Sequence, residues 1–506
     1  MPRYKPFDYR QTVMLPLSLE NQLLPGTFEF ALHHLVESRV DLSKFEAELK
    51  NDDTCSPAYH PKMLLKIILY GYSQGIVSSR KLEKVCKENV IFMALSCLAM
   101  PDHSTIASFV SLMKEEIEPL FVNILLICEE MNLLGHTEFA LDGLKLPSNA
   151  SKEYSGTHSD LAKKREKLKA KIAYLLDEQI RTDRGADSKS ENSNKTICER
   201  TEAAIKKLGA KAEKIERFLS ENEPKIGKSG KEIQSNITDN ESARMKTSHG
   251  VIQGYNAQAL VDEKHQVIVY GEVSSSGQDY DQLSSVIDGA KENVEVLGFD
   301  ENYFENAVMS MDSNYHIKEN LEKAKEEGID GYIPDVKFRQ RDPRFESANR
   351  HKPQKEEKYK LEDFQYDKER DCYICPARKE LRRYARVHKI GNNIFSRYSA
   401  DERDCADCSL KQKCLQTPKA KSRHLAIAVG KYEPSLSEEM IKKIDTPEGR
   451  RIYARRMKIV EPVFANIRTH KRLDRFTLRG KIKVNIQWLL YCIVHNIGKI
   501  AVFGTI

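Results

Sequence analysis

The strongest constraint in this sequence is a carboxylate in the middle of an apolar strand. Thr137-Glu-Phe-Ala-Leu-Asp142-Gly-Leu-Lys-Leu-Pro147 has the composition of a short buried strand, with a glycine directly after the acid. An ionised group inside such a strand is costly unless it is paired or bound to a cation. Asp142 is therefore either a functional carboxylate or a strand-end aspartate capping the turn into the polar loop beyond Pro147.

Two further acids stand out by context. Asp312 follows the apolar strand Ala307-Val-Met-Ser-Met311. Glu461 lies within Tyr453-Ala-Arg-Arg-Met-Lys-Ile-Val-Glu-Pro-Val-Phe-Ala-Asn-Ile-Arg468, which reads as one helix. Thr446 is its expected N-cap, Pro447 suits the first helical position, and Pro462 marks a kink. Met457, Glu461, Ala465 and Arg468 fall on one stripe. Arg450, Arg451, Arg455, Arg456 and Lys458 surround the acid. That pattern fits an ion-paired surface glutamate or a metal ligand held beside a polyanion. Adjacent strand ends can bring two carboxylates together, and a helix crossing the sheet can add a third. Such a cluster suits Mg2+ or Mn2+. Two such ions roughly 4 Å apart can activate a water or hydroxyl and stabilise a leaving oxygen in phosphodiester chemistry.

The 506 residues leave room for roughly two to four domains. Net charge is only +6, but the C-terminal third carries dense Lys/Arg runs, which points to a nucleic-acid partner. Met1-Pro-Arg-Tyr-Lys5 leads into no apolar run and does not read as a signal peptide. The apolar stretch Val484–Phe503 contains Asn485, Gln487, His495, Asn496 and Lys499. It is expected to be a buried helix, with Trp488 and Tyr491 in the core, and no membrane span. Eleven cysteines, five of them clustered, argue for a reducing, cytoplasmic location.

Residues 1–130 are expected to form a helical N-terminal domain, from the apolar spacing through Phe30–Val36 and Met63–Gly71. A helix over Ser78–Glu88 and another from Ile106, capped by Asp102 or Ser104, are compatible with a DNA-reading helix-turn-helix or with plain bundle packing. Residues 131–336 and 437–506 read as a mixed α/β core. It would contain the strand pair Val251–Val261 and Gln266–Val273, a helix over Asp279–Leu297, the Asp312 strand, and a strand near Gly331–Asp335. Within it, residues 158–235 form a helical hairpin insertion with seams at Leu161, Leu168, Ile172 and Leu175 and at Ile205, Leu208, Ala212, Ile215 and Leu219. That hairpin contacts DNA or another subunit, or is a solvated spacer.

Residues 337–436 interrupt the core with the basic runs Arg339–Arg344 and Arg350–Lys352, then a cysteine-bearing β-rich insertion. Its two Cys-x-x-Cys knuckles predict structural Zn2+ on Cys372, Cys375, Cys405 and Cys408, with Cys414 as the alternative fourth ligand; the competing reading is free thiols.

Taken together, Phe139–Glu153, Met311–Asn320 and Val460–Arg468 resemble the DDE transposases of bacterial insertion sequences. The resemblance extends to Pro101–Thr105, the cysteine-bearing insertion, Arg479–Lys483 and His495-Asn496. It implies a ribonuclease H-like mixed sheet with a helical N-terminal DNA-binding domain and the two insertions. Asp142 would lie on the first strand, Asp312 at the end of the fourth, and Glu461 on the closing helix. The three acids would hold two Mg2+ (or Mn2+) ions. Water would free a 3′-hydroxyl at the transposon end, and that hydroxyl would attack target DNA.

The family's pattern of Tyr, Arg, Glu and Lys on the glutamate helix falls on Tyr453, Arg456, Glu461 and Arg468. Four residues rather than three separate Arg456 from Glu461, Arg replaces Lys at 468, and Asn314 stands where Gly or Ala often follows the second aspartate. Tyr453, Arg456, Lys458, Arg468, Arg479 and Lys481 are the expected DNA contacts. The implied partners are terminal inverted repeats and target DNA, with a homodimer or larger assembly in the nucleoid. Two other readings remain: a repurposed DNA-binding protein without catalysis, and a ribonuclease H-like nuclease without strand transfer.

Overall fold

The computed structural model describes residues 18–47, 58–184, 191–227, 230–247, 250–349, 358–390, 393–417, 419–429 and 434–505. Met1–Lys5 and Arg350–Lys352 lie outside these residues. The chain divides into two compact units. One holds residues 1–315, 323–331 and 452–506; the other holds residues 316–322 and 332–451.

The first unit begins with helices α1 (Phe28–Ser38), α2 (Pro61–Ser73), α3 (Ser79–Glu88), α4 (His103–Leu112) and α5 (Ile117–Glu130). Asp102 is the cap of α4, its Oδ1 accepting from the N–H groups of Ser104 at 2.7 Å and Thr105 at 2.9 Å. Helix α2 buries every residue from Leu64 to Tyr72, which makes it the centre of the helical region.

A mixed sheet follows. Its strands are β1 (Glu138–Pro147), β2 (Ala243–Thr247), β3 (Gly250–Asp262), β4 (Ile268–Ser274), β5 (Val308–Met311) and β6 (Asp330–Tyr332). Their order is β2-β3-β1-β5-β6, with β4 also paired to β3. Strand β1 runs antiparallel to β3 and parallel to β5. This arrangement is consistent with a ribonuclease H-like core. Ala243–Thr247 is an added strand with only Met245 buried, and Asp312 directly follows β5.

Helix α6 (His158–Arg184) lies antiparallel to α7 (Glu191–Glu221). Leu161, Ile215 and Phe218 pack with Leu168 and Leu219, while Arg165 and Lys169 both reach Glu216. Helix α8 (Leu283–Val296) starts four residues later than the expected Asp279.

The last helix, α11 (Lys481–Phe503), is long and apolar enough to cross a membrane by composition alone, yet most of it is buried within the protein. Its polar residues explain why. Asn496 accepts from the Ile268 N–H and donates to the Ile268 carbonyl, both at 2.9 Å, and Asn485 accepts from the Val273 N–H at 3.0 Å. Eleven helical residues rise about 16 Å and five strand residues about 17 Å, so the two asparagines match the spacing of Ile268 and Val273. The helix thus satisfies backbone groups of β4 that would otherwise be open. Trp488 and Tyr491 are buried.

The expected single helix around Glu461 is broken. Helix α9 (Pro447–Ile459) opens with Thr446 accepting from the Gly449 N–H at 2.9 Å. Helix α10 (Glu461–Ala465) follows, then a π turn over Asn466–His470. Pro462 has no N–H for the Lys458 carbonyl, which accepts from Gln266 Nε2 at 2.8 Å instead.

In the second unit, strands β7 (Gln365–Asp367), β8 (Cys372–Ile374), β9 (Glu380–Ile390), β10 (Asn393–Ala400) and β11 (His424–Ala428) form an antiparallel sheet in chain order. Phe364, Leu381, Tyr398 and Leu425 make its small core.

Candidate active site

Strands β1 and β5 pair with Leu141 opposite Met311, so the next residues stand side by side: Asp142 within β1, still paired to Ala259 of β3, and Asp312 just past the end of β5. Both line an open cavity of about 790 Å3, together with Lys145, Lys246, Asp279 and Arg468. Asp312 is held by its own turn: Oδ1 accepts from the Asn314 N–H at 2.5 Å. Asp142 Oδ1 accepts from the Gly143 N–H at 2.8 Å, and Oδ2 accepts from Arg456 Nη2 at 2.5 Å. Burial pushes the Asp142 carboxyl up to about 6. The Arg456 guanidinium and the Gly143 N–H pull it down, and Asp312 and Asp279 push it further up.

Asp279 is a site residue that the sequence did not single out. It is 5% exposed, and its carboxylate takes Asn256 Nδ2 at 2.6 Å, Gln258 Nε2 at 3.2 Å, Asn314 Nδ2 at 3.1 Å and Lys145 Nζ at 3.3 Å. Asn314 thereby links Asp279 to Asp312. Gly143 is required here by close approach. A Cβ would stand 2.4 Å from Gln258 Nε2, 2.6 Å from Asn256 Oδ1 and 2.6 Å from Asp279 Oδ1. Behind the carboxylates, the fully buried Tyr315 donates its hydroxyl to Gln258 Oε1.

The other expected residues are placed less uniformly. Arg456 is buried against Asp142 and does not face solvent. Glu461 is exposed and lies outside the cavity lining, although it acts on the Arg456 charge. Arg468 is exposed and borders the cavity. Tyr453 is half-buried and Lys458 exposed. Arg479 donates to the Asn149 carbonyl at 2.8 Å, and Lys481 pairs with Glu272 at 3.0 Å, so both are engaged within the chain.

In the second unit, Cys375, Cys405, Cys408 and Cys414 line one small cavity of about 20 Å3, which Cys372 does not border. Cys372 is instead buried in β8. Among the described residues, no three His, Cys, Asp or Glu side chains stand close enough to share one ion.

Two family models match the chain: a transposase DDE domain over residues 346–501, and a transposase domain (DUF772) over residues 17–112. The chain belongs to the DDE transposases of insertion sequences. The DUF772 match covers helices α1 to α4, and the DDE-domain match contains Glu461 and all five clustered cysteines. Asp142, Asp279 and Asp312 lie outside both matched stretches. Membership implies transposition and a DNA substrate. No curated protein matches the chain.

Proposed function

We propose that this transposase cleaves DNA at transposon ends and joins the freed 3′ end to target DNA, using Asp142, Asp312 and Glu461. The observation that carries the reading is that Asp142 and Asp312, on two neighbouring parallel strands, line one cavity that bases also line. The donors there are carboxylate and amide oxygens, which fit a hard cation. Asn256 Oδ1, packed against Gly143 among these carboxylates, is buried without a hydrogen-bond partner. Mg2+ or Mn2+ held there would supply activation of the attacking hydroxyl and stabilisation of the leaving oxygen.

The chain's own residues do the rest. Asp312 presents Oδ2, and Asp142 presents the oxygen that Arg456 now occupies. Arg456 occupies the oxygen of Asp142 that would hold a cation, and would have to give it up to one. Glu461, exposed and outside the cavity lining, would have to move toward the two aspartates to join the set. Arg468, Lys246 and Lys145 offset repulsion between DNA phosphates and the acids. Tyr453, Lys458, Arg479 and Lys481 remain candidate phosphate contacts, the last two after release of their internal partners.

Purified protein with Mg2+ and DNA carrying the element's ends is expected to cleave and to yield joined products. Asp142→Asn, Asp312→Asn and Glu461→Gln are each expected to abolish both. Cleavage surviving in all three variants refutes the assignment. Cleavage without joined products leaves a nuclease, and tight end binding without turnover leaves a repurposed DNA-binding protein.

For the second unit, the proposed ligands of a structural zinc are Cys375, Cys405, Cys408 and Cys414, in place of the set with Cys372. Four thiols around one cavity have the donor chemistry of a closed zinc site, and ligation would draw them inward. Metal analysis should find about one zinc per chain, lost in Cys405→Ser but kept in Cys372→Ser. Much less than one in the unmodified protein rejects the site.

A further inference from the structure

The π turn Asn466–His470 borders two cavities. Its Arg468 faces the acidic one. Asn466 and His470 border a second, of about 670 Å3, which Gln266, Lys471, His495 and Lys499 also line. Among the described residues, no aspartate or glutamate lines this second cavity.

Among the described residues, its two ammonium groups have neutral partners. Lys471, 9% exposed, donates to Asn466 Oδ1, and Lys499 donates to Gln266 Oε1 at 2.9 Å. Among the described residues neither lysine has a carboxylate within ion-pairing distance. Two cations held this close in a partly desolvated place, with nothing to neutralise them, cost stability that an anion would return. The strain shows in the titration of the groups. Burial, helped by Lys499, brings Lys471 down to about 8. Burial and both lysines bring His495 down to about 3, so its ring is neutral, with Nε2 donating to the Gln266 carbonyl at 2.9 Å.

We propose that this cavity binds a phosphate group, held by Lys471 and Lys499, with His470 at its rim. Two ammonium groups match the charge of a phosphate mono- or dianion, and the opening is wide enough for a phosphate that is part of a larger molecule. One source is a DNA backbone, because the same turn serves both cavities and a single strand crossing it could meet both. That source rests on the proposed function; the anion site itself does not. The other source is a free phosphate-bearing small molecule.

The test uses the full-length protein. DNA binding is followed by fluorescence anisotropy over a salt series, for the parent, the Lys471→Gln/Lys499→Gln double variant and the matching double arginine variant. If the backbone is the ligand, the glutamine variant binds several-fold more weakly, and its log affinity falls less steeply with log salt, by about 0.9 for each phosphate that is no longer neutralised. The arginine variant should keep the parental slope. In parallel, inorganic phosphate is titrated at constant ionic strength and the melting temperature recorded. A saturable rise in the parent that is absent from the glutamine variant, with an unchanged DNA slope, identifies a free phosphate as the ligand. Absence of both effects overturns the proposal. If the glutamine variant does not fold, the parental titration decides, and no saturable rise refutes the site. Neither readout requires turnover, so failure of the catalytic reading is distinguishable from failure of this one.

Discussion

Replacing Asp142 by asparagine should remove activity and at the same time stabilise the protein. The carboxyl titrates near 6 in the folded chain against an ordinary 3.8, even with Arg456 bonded to it. Each tenfold difference in proton affinity is worth roughly 1.4 kcal/mol, so keeping this group ionised at pH 7 costs about 3 kcal/mol. The side chain is 20% exposed, and solvent relieves only a minor part of that. The sign follows from proton binding. Between about pH 4 and 6 the folded state holds the proton more tightly than the unfolded state, so stability falls as pH rises through this window and is level above it. Asparagine resembles the neutral acid and never carries the penalty. Denaturant midpoints measured at intervals from pH 4 to 7.5 should therefore coincide for the two proteins near pH 4 and diverge above it, with the variant ahead by up to about 3 kcal/mol. Mg2+ should narrow the gap by stabilising only the parent. Curves that coincide at every pH, or a variant less stable at pH 7, would show that burial does not strain this carboxylate.

Other consequences are smaller in scope. Gly143→Ala should lower stability by about 1–3 kcal/mol in thermal melts, because its Cβ would press on Gln258, Asn256 and Asp279. Asp279→Asn should cut cleavage by about 10- to 100-fold while leaving DNA affinity near parental, since it orients groups around Asp142 and Asp312. Asn496→Ala should cost about 2–4 kcal/mol in a denaturant titration, as it strands both backbone groups of Ile268.

What the sequence revealed and what it hid have a common physical basis. Asp142 was conspicuous because an acid among Phe139, Ala140 and Leu141 violates the local pattern, and Asp312 because it ends an apolar run. Pro462 announced the break before the structure showed which group replaces its missing hydrogen bond. Asp279 gave no such signal. In Ser-Gly-Gln-Asp-Tyr-Asp it looks like an ordinary helix-opening acid, and its place beside the other carboxylates comes from Lys145, Asn256 and Asn314, which the fold brings to it. The partner of Arg456 lies 314 residues away, so no local pattern distinguishes it from the other bases on the helix. The cysteines repeat the lesson. A two-residue gap suggests paired ligands, but Cys372 sits in a strand and Cys375 just beyond it, an odd separation that puts them on opposite faces. Cys414, at the end of the short helix Lys411–Cys414, lines the same cavity as Cys375, Cys405 and Cys408. Residues that break a local rule can be read from sequence, whereas residues that obey every local rule acquire function only from distant neighbours.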